Sequence, residues 1–68
     1  MNSAPKYPHI TVRLIGEDGN TLSIMGRISS ALRKDGVSSK DIAAFQSEIL
    51  SGDYDHALQT AMKWVSVS

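Results

Sequence analysis

The two ends of this sequence alternate between apolar and polar residues, whereas the middle repeats its apolar residues at helical spacing. Alternation runs over residues 9–15 and returns over 64–67. The apolar members of the two stretches are Ile10, Val12, Leu14, Val65 and Val67. Successive side chains of a strand point to opposite faces, so each stretch predicts a half-buried strand. Because a lone strand is not stable, the first and last strands are expected to pair.

Residues 21–35 predict the first helix. Their apolar side chains recur at helical spacing, and Asn20 before them is a residue type that caps helices. Residues 21–24 also alternate, and they follow a turn-forming stretch at 16–20. A β-hairpin that returns through residues 21–25 is therefore the alternative. We favour the helix.

Residues 39–51 predict a second helix. Gly36 fits the residue that ends the first helix, and residues 38–41 resemble a capping box with Asp41 in the usual Glu or Gln position. Gly52 fits a left-handed residue that closes the second helix.

The stretch after Gly52 predicts a third helix over about 54–63. Asp53 fits its N-cap, and Asp55 fits its first turn, where the helix dipole favours a negative charge. Asp53, Asp55 and His56 also have the side chains of a divalent-metal site. Capping explains both aspartates, so we predict no metal site.

These elements predict an α+β fold of order β-α-α-α-β, with a two-stranded sheet packed on three helices. An N-terminal β-hairpin plus helices is the alternative fold. Residues 1–8, with both prolines, are expected to form a flexible leader, and residues 9–68 a single domain. A chain of 68 residues without cysteine has no disulfide to stabilise it, so a homodimer or higher oligomer is expected.

The charge balance disfavours some classes of partner. Seven basic and seven acidic residues give a net charge of zero, so nucleic acid is not expected as a general partner. The half before residue 35 is nevertheless basic, and the half from residue 35 onward is acidic. No apolar run approaches the roughly 20 residues of a membrane span, and no secretory leader is evident. We expect a cytoplasmic protein with no membrane partner.

Motifs of catalysis are missing from the sequence. It has neither the Gly-x-Ser-x-Gly elbow of hydrolases nor the His-Glu-x-x-His of zinc proteases. A chain this short also struggles to enclose a dry pocket. We predict no enzyme, no catalytic residue and no cofactor.

The outer face of the predicted sheet is the candidate protein interface. Its residues are His9, Thr11, Arg13, Trp64 and Ser66. Trp and Arg often anchor interfaces, and Arg13 is placed to stack on Trp64 as a cation–π pair. The alternative is that Trp64 points inward as the main aromatic residue of the core.

The sequence also resembles small uncharacterised proteins of bacteria and their phages. The resemblance covers about residues 12–67. Its pattern is DGN at 18–20, GR at 26–27, ALR at 31–33, Gly36, Phe45, SGDYDH at 51–56, LQT at 58–60, MKWV at 62–65, and Val67. The resemblance implies a compact intracellular protein of the kind that mobile elements carry, and it transfers no catalytic residue.

Together these features predict a non-enzymatic protein-binding module that binds itself and another protein. On the resemblance alone, it would be a phage-borne modulator or inhibitor of a host factor. An oligomer that sequesters or senses a small ligand such as a nucleotide is the second hypothesis. A DNA-binding regulator with helix-turn-helix-like helices is the third, with Arg27, Arg33 and Lys34 as a secondary basic face.

Overall fold

The structure is a computed structural model that describes residues 4–14 and 20–68. The elements in chain order are β1 (Tyr7–Val12), α1 (Thr21–Lys34), α2 (Ser39–Ile49), α3 (Tyr54–Trp64) and β2 (Val65–Val67). The predicted order β-α-α-α-β and the α+β class are confirmed. Residues 1–3 of the predicted leader, Ile15 of the predicted strand and positions 16–19 of the predicted turn lie outside the described residues.

The helix prediction for residues 21–35 is confirmed, and the hairpin alternative is wrong. Asn20 caps α1, since its side-chain oxygen accepts a hydrogen bond from the Leu22 N–H at 2.8 Å. At the other end Gly36 has φ +86°, the left-handed conformation that a glycine adopts without steric cost.

The start of α2 was predicted correctly, but its end was not. Ser38 Oγ accepts from the Asp41 N–H at 3.2 Å and caps the helix. The helix ends at Ile49 rather than at residue 51, and Gly52 is not left-handed, because Gly36 is the one glycine of the described chain with positive φ. The carbonyl of Glu48 near this end accepts a hydrogen bond from the Ser51 N–H at 3.1 Å. The helix therefore ends without a left-handed residue.

The first and last strands are adjacent, as predicted, and they run parallel. Tyr7 pairs with Val65, and Thr11 pairs with Ser66. Between those two pairs β1 advances four residues while β2 advances one, so β1 is bulged between Tyr7 and Thr11. The Ser66 hydroxyl donates to the Pro8 carbonyl at 2.8 Å and bridges the bulge.

Both strand boundaries differ from the predicted ones. β1 begins at Tyr7, so Tyr7 and Pro8, which were assigned to the leader, belong to the strand. The Lys6 N–H donates to the Lys63 carbonyl at 2.8 Å, which joins the start of β1 to the end of α3. Trp64 is the last residue of α3 instead of the first residue of the last strand.

The core lies between one face of the sheet and the three helices. Its buried apolar residues are Ile10, Val12, Ile24, Ile28, Leu32, Ile42, Phe45, Ile49, Ala57, Ala61, Trp64 and Val65. The predicted inner faces of the strands are thus confirmed for Ile10, Val12 and Val65, with Leu14 and Val67 at the margin. Within the described ranges, no helix combines the length and apolar character needed to cross a bilayer.

Candidate functional site

Trp64 lies in the core, so the prediction that it is exposed on the outer sheet face is wrong. Only 7% of its surface is exposed. Its ring stacks on Tyr7, with centroids 6.1 Å apart and planes at 28°, and it meets Phe45 edge-on at 5.4 Å. The ring therefore joins β1, α2 and α3 within one chain, and it cannot anchor a second protein without leaving the core.

The inward direction of Trp64 follows from its place in α3. Ala57, Ala61 and Trp64 are spaced by four and three residues, so they share one face of the helix, and all three are buried. The cation over the Trp64 ring is the Lys6 ammonium, whose Nζ lies 4.5 Å from the ring centroid. Arg13, the predicted cation–π partner, is exposed beyond the other end of β1.

The other residues of the predicted interface remain at or near the outer surface. His9, Thr11 and Arg13 are exposed, and Ser66 is half-buried. His9 Nε2 lies 2.8 Å from Asp35 Oδ2, and both side chains are partly open to solvent. The structure keeps these polar residues on the outer side of the sheet but gives them no exposed aromatic anchor.

The predicted basic face lies on α1. Arg27, Arg33 and Lys34 are all exposed. Arg33 and Lys34 occupy the last turn of the helix, where positive charge stabilises the helix dipole. Their position therefore has a structural explanation that requires no ligand.

In the turn between α2 and α3, side chains form hydrogen bonds to the end of α2 and to the start of α3. Asp53 Oδ1 accepts from the His56 N–H at 2.9 Å, which confirms the predicted N-cap of α3. His56 Nε2 lies 2.9 Å from the Glu48 carbonyl oxygen and 3.1 Å from Ser51 Oγ. Because a carbonyl oxygen only accepts, Nε2 carries a proton and donates it to the end of α2.

Ser51 and His56 are the residue types of a catalytic nucleophile and its general base, but their hydrogen bonds are not those of such a pair. Ser51 Oγ donates to the Glu48 carbonyl at 2.7 Å, and the Nε2–H of His56 points to the same oxygen. An imidazole that acts as a base needs an unprotonated nitrogen facing the hydroxyl. In this arrangement both side chains terminate α2. In the chain as described, no three His, Asp or Glu side chains are grouped where they could hold a metal ion.

An apolar groove beside β2 was not anticipated as a site. Its volume is ≈ 550 Å³, and its lining residues are Pro5, Leu14, Leu58, Met62, Val65, Ser66 and Val67. Met62 is 54% exposed, one of the most exposed large apolar side chains of the described chain. Leu58 lies one turn before it on α3, so the two side chains form one wall of the groove.

The outer edge of β2 is open beside this groove. The Ser68 N–H donates to the Val12 carbonyl at 3.1 Å, and the Ser68 carbonyl accepts from the Leu14 N–H at 2.9 Å, so both backbone groups of Ser68 face β1. Alternate residues of a strand direct these groups to opposite sides. The N–H and C=O of Val67 therefore face away from β1. The sheet of the described residues has two strands, so no third strand covers that edge.

A signal for this groove was present in the sequence. Leu58 and Met62 are apolar residues one helical turn apart within the predicted third helix. In α3 the buried stripe is Ala57, Ala61 and Trp64, and Leu58 and Met62 form a second stripe beside it. A helix that is apolar on more than one face leaves some apolar side chains outside the core of its own chain.

Comparison of the chain with protein-family models, with curated proteins and with solved structures gives no match.

Proposed function

We propose that the chain is a non-enzymatic protein-binding module, and that it holds an extended segment of another polypeptide against the outer edge of β2. One observation carries this proposal: the exposed side chain of Met62 stands beside a strand edge whose Val67 N–H and C=O point outward. An added strand would gain main-chain hydrogen bonds from the edge and apolar contacts from the groove.

The groove also defines the kind of segment that fits. Side chains of an added strand alternate between two faces, so one set would contact Leu58 and Met62, and the other would extend the outer face that carries Thr11 and Arg13. The lining is apolar apart from Ser66, and the chain has no net charge. Recognition therefore depends on apolar side chains at alternate positions and on backbone pairing, with little long-range electrostatic attraction.

A peptide-display selection tests the proposal. The wild-type chain should enrich peptides with apolar residues at alternate positions, and labelled chain should show amide shifts at residues 65–68 when such a peptide binds. Counter-selection uses Met62→Lys, which places a charge in the groove at the end of α3, where a lysine suits the helix dipole. We expect the enriched peptides to bind this variant at least about tenfold more weakly.

Leu50→Lys is the matched control. Leu50 is 52% exposed and lies at the end of α2, so it resembles Met62 in exposure and in position on its helix but lies outside the groove. Peptide affinity should be unchanged in this variant. Peptides that shift amides elsewhere, or that bind wild type and Met62→Lys equally, would contradict the proposed surface.

A small apolar ligand is the second candidate, and the size of the groove favours it. A volume of ≈ 550 Å³ falls within the roughly 300–1,000 Å³ of small-molecule sites. Native mass spectrometry of chain purified from its host would reveal a retained ligand as added mass, and Met62→Lys should release it. The bare chain mass in both samples would contradict this candidate.

A further inference from the structure

We infer that the polypeptide that pairs with β2 is the β2 strand of a second copy of this chain, related to the first by a two-fold axis. The inference rests on the proposed function and names its partner. The paired strands run antiparallel, and they join two two-stranded sheets into one sheet of four strands.

The backbone of the open edge is complementary to itself. Val67 presents one N–H and one C=O on the side away from β1, since Ser68 on its C-terminal side turns both of its groups toward β1. Two antiparallel residues that face each other exchange two hydrogen bonds, one in each direction. A two-fold axis at Val67 therefore satisfies the donor and the acceptor of both copies, as an interface between identical surfaces requires.

The charges of α3 favour the same arrangement. The helix carries Asp55 in its first turn and Lys63 in its last turn, and both side chains are exposed. With the two α3 helices side by side and antiparallel, the acidic start of each helix faces the basic end of its partner, and the two helix dipoles oppose each other. A parallel arrangement would bring like charges together.

A stable dimer buries more area than β2 alone provides, so the interface includes α3 as well as β2. A standard interface removes about 800 Å² from each partner, and the chain exposes 4393 Å² in total. β2 has three residues, which is too short to supply that area alone. Leu58 and Met62 of the two copies add apolar contact beside the paired strands and close the groove of each chain.

Sedimentation velocity across a concentration series tests the pairing. We expect wild type to form a dimer by ~100 μM, well above the Kd of a micromolar association. Met62→Lys should raise the dimer Kd at least about tenfold, because it puts a lysine from each copy into the apolar contact. Leu50→Lys, with matched exposure outside the groove, should leave the Kd within about twofold.

A backbone variant tests the strand contact separately. Val67→Pro removes the N–H that faces the open edge and leaves the Ser68 bonds to β1 in place, and an edge strand tolerates proline at such a position. We expect this variant to be monomeric with an unchanged circular dichroism spectrum. In case it does not fold, isotope-filtered nuclear Overhauser effects in a mixed wild-type sample should connect Val67 of one copy to residues 65–68 of the other.

The outcomes separate this inference from the proposed function. A wild-type monomer at ~100 μM overturns the inference, as does a dimer whose Kd is the same in Met62→Lys and wild type, or intermolecular contacts that omit residues 65–68. If displayed peptides still shift the amides of residues 65–68, the proposed function stands while the inference fails. If the chain is monomeric and no peptide binds at β2, both fail.

Discussion

At the turn between α2 and α3, the space around Gly52 matters more than its backbone angle. A Cβ atom at this position would lie 2.7 Å from Cγ of His56 and 2.8 Å from its Cβ. Real Cβ atoms do not approach other carbons so closely, so a side chain here displaces the imidazole. His56 would then lose its hydrogen bond to the Glu48 carbonyl, which ends α2.

Gly52→Ala is therefore expected to lower the free energy of unfolding by about 1–3 kcal/mol, the usual cost of overpacking. Gly26→Ala is the matched control. Gly26 lies inside α1, and an added Cβ meets nothing within 4 Å. That variant should gain about 0.5–1 kcal/mol, because alanine favours the helix and loses less backbone freedom on folding. Urea denaturation measures both changes.

A double-mutant cycle with His56→Gly identifies the cause, because alanine at this position would keep the Cβ that lies 2.8 Å from the added atom. If the clash with the His56 side chain is responsible, Gly52→Ala should cost much less in the His56→Gly background. An equal cost in both backgrounds would show that the backbone of Gly52, instead of its proximity to His56, is the constraint.

At the scale of elements, each helix begins at a short polar residue whose side chain accepts a backbone hydrogen bond. Asn20, Ser38 and Asp53 cap α1, α2 and α3. Each cap satisfies one of the N–H groups that a helix leaves unpaired at its start. The boundaries between helices in this small domain are thus set largely by local hydrogen bonds.

Asp53→Ala should lower the free energy of unfolding by about 0.5–2 kcal/mol, because it removes the acceptor of the His56 N–H. Asp53→Asn keeps an acceptor and should cost less. Asp55→Ala is the control for charge without capping, and it should cost at most about 0.3–1 kcal/mol through the helix dipole. Thermal and urea unfolding measure all three, and equal losses in Asp53→Ala and Asp53→Asn would contradict the role of the cap.

The helices were predictable because their signals are local. Asn20, Ser38, Asp53 and Gly36 each determine the conformation of the few residues next to them, and each acts where it was predicted to act. The pairing of the first and last strands also followed from pattern, since two alternating stretches in one short chain have little else to pair with. The fold class required no long-range information beyond that.

The errors occur where the outcome depends on contacts between distant residues. The sequence 64–67 alternates, yet Trp64 stays helical because its ring fits between Tyr7 and Phe45. Packing of this kind overrides a two-residue period in a short segment. The groove likewise depends on how α3 lies along β2, which no pattern within α3 specifies. The sequence therefore shows that Leu58 and Met62 are apolar but not that they line a groove.

At the scale of the whole molecule, Tyr7 connects the start of β1 to α2 and to the end of α3. Its ring stacks on Trp64 at the end of α3, and its hydroxyl donates to Asp41 Oδ2 on α2 at 3.3 Å. The neighbouring Lys6 N–H donates to the Lys63 carbonyl. The start of β1, the second helix and the end of α3 thus meet at one phenol, so its ionisation reports on tertiary structure rather than on a single element.

The environment of this phenol raises the pKa of Tyr7 above its usual 10.0. Loss of hydration on burial is the largest cause. The negative charge of Asp41 is the next, followed by the hydrogen bond that Asp41 accepts and by the charge of Asp35. All four favour the neutral phenol in the folded chain.

Folding stability should therefore fall at alkaline pH through Tyr7. Between the unfolded pKa near 10.0 and the higher folded pKa, the folded chain holds more protons than the unfolded chain. The contribution of Tyr7 to the free energy of unfolding is therefore fully present below pH 10 and is lost as the pH rises through the folded pKa.

In a Tyr54→Phe background, where Tyr7 is the remaining tyrosine, tyrosinate absorbance should titrate with a midpoint above 10.0. Asp41→Asn should lower that midpoint, and Tyr7→Phe should flatten the alkaline loss of stability. A midpoint at or below 10.0 would mean that the Tyr7 phenol is hydrated and that β1, α2 and α3 do not pack together at this residue.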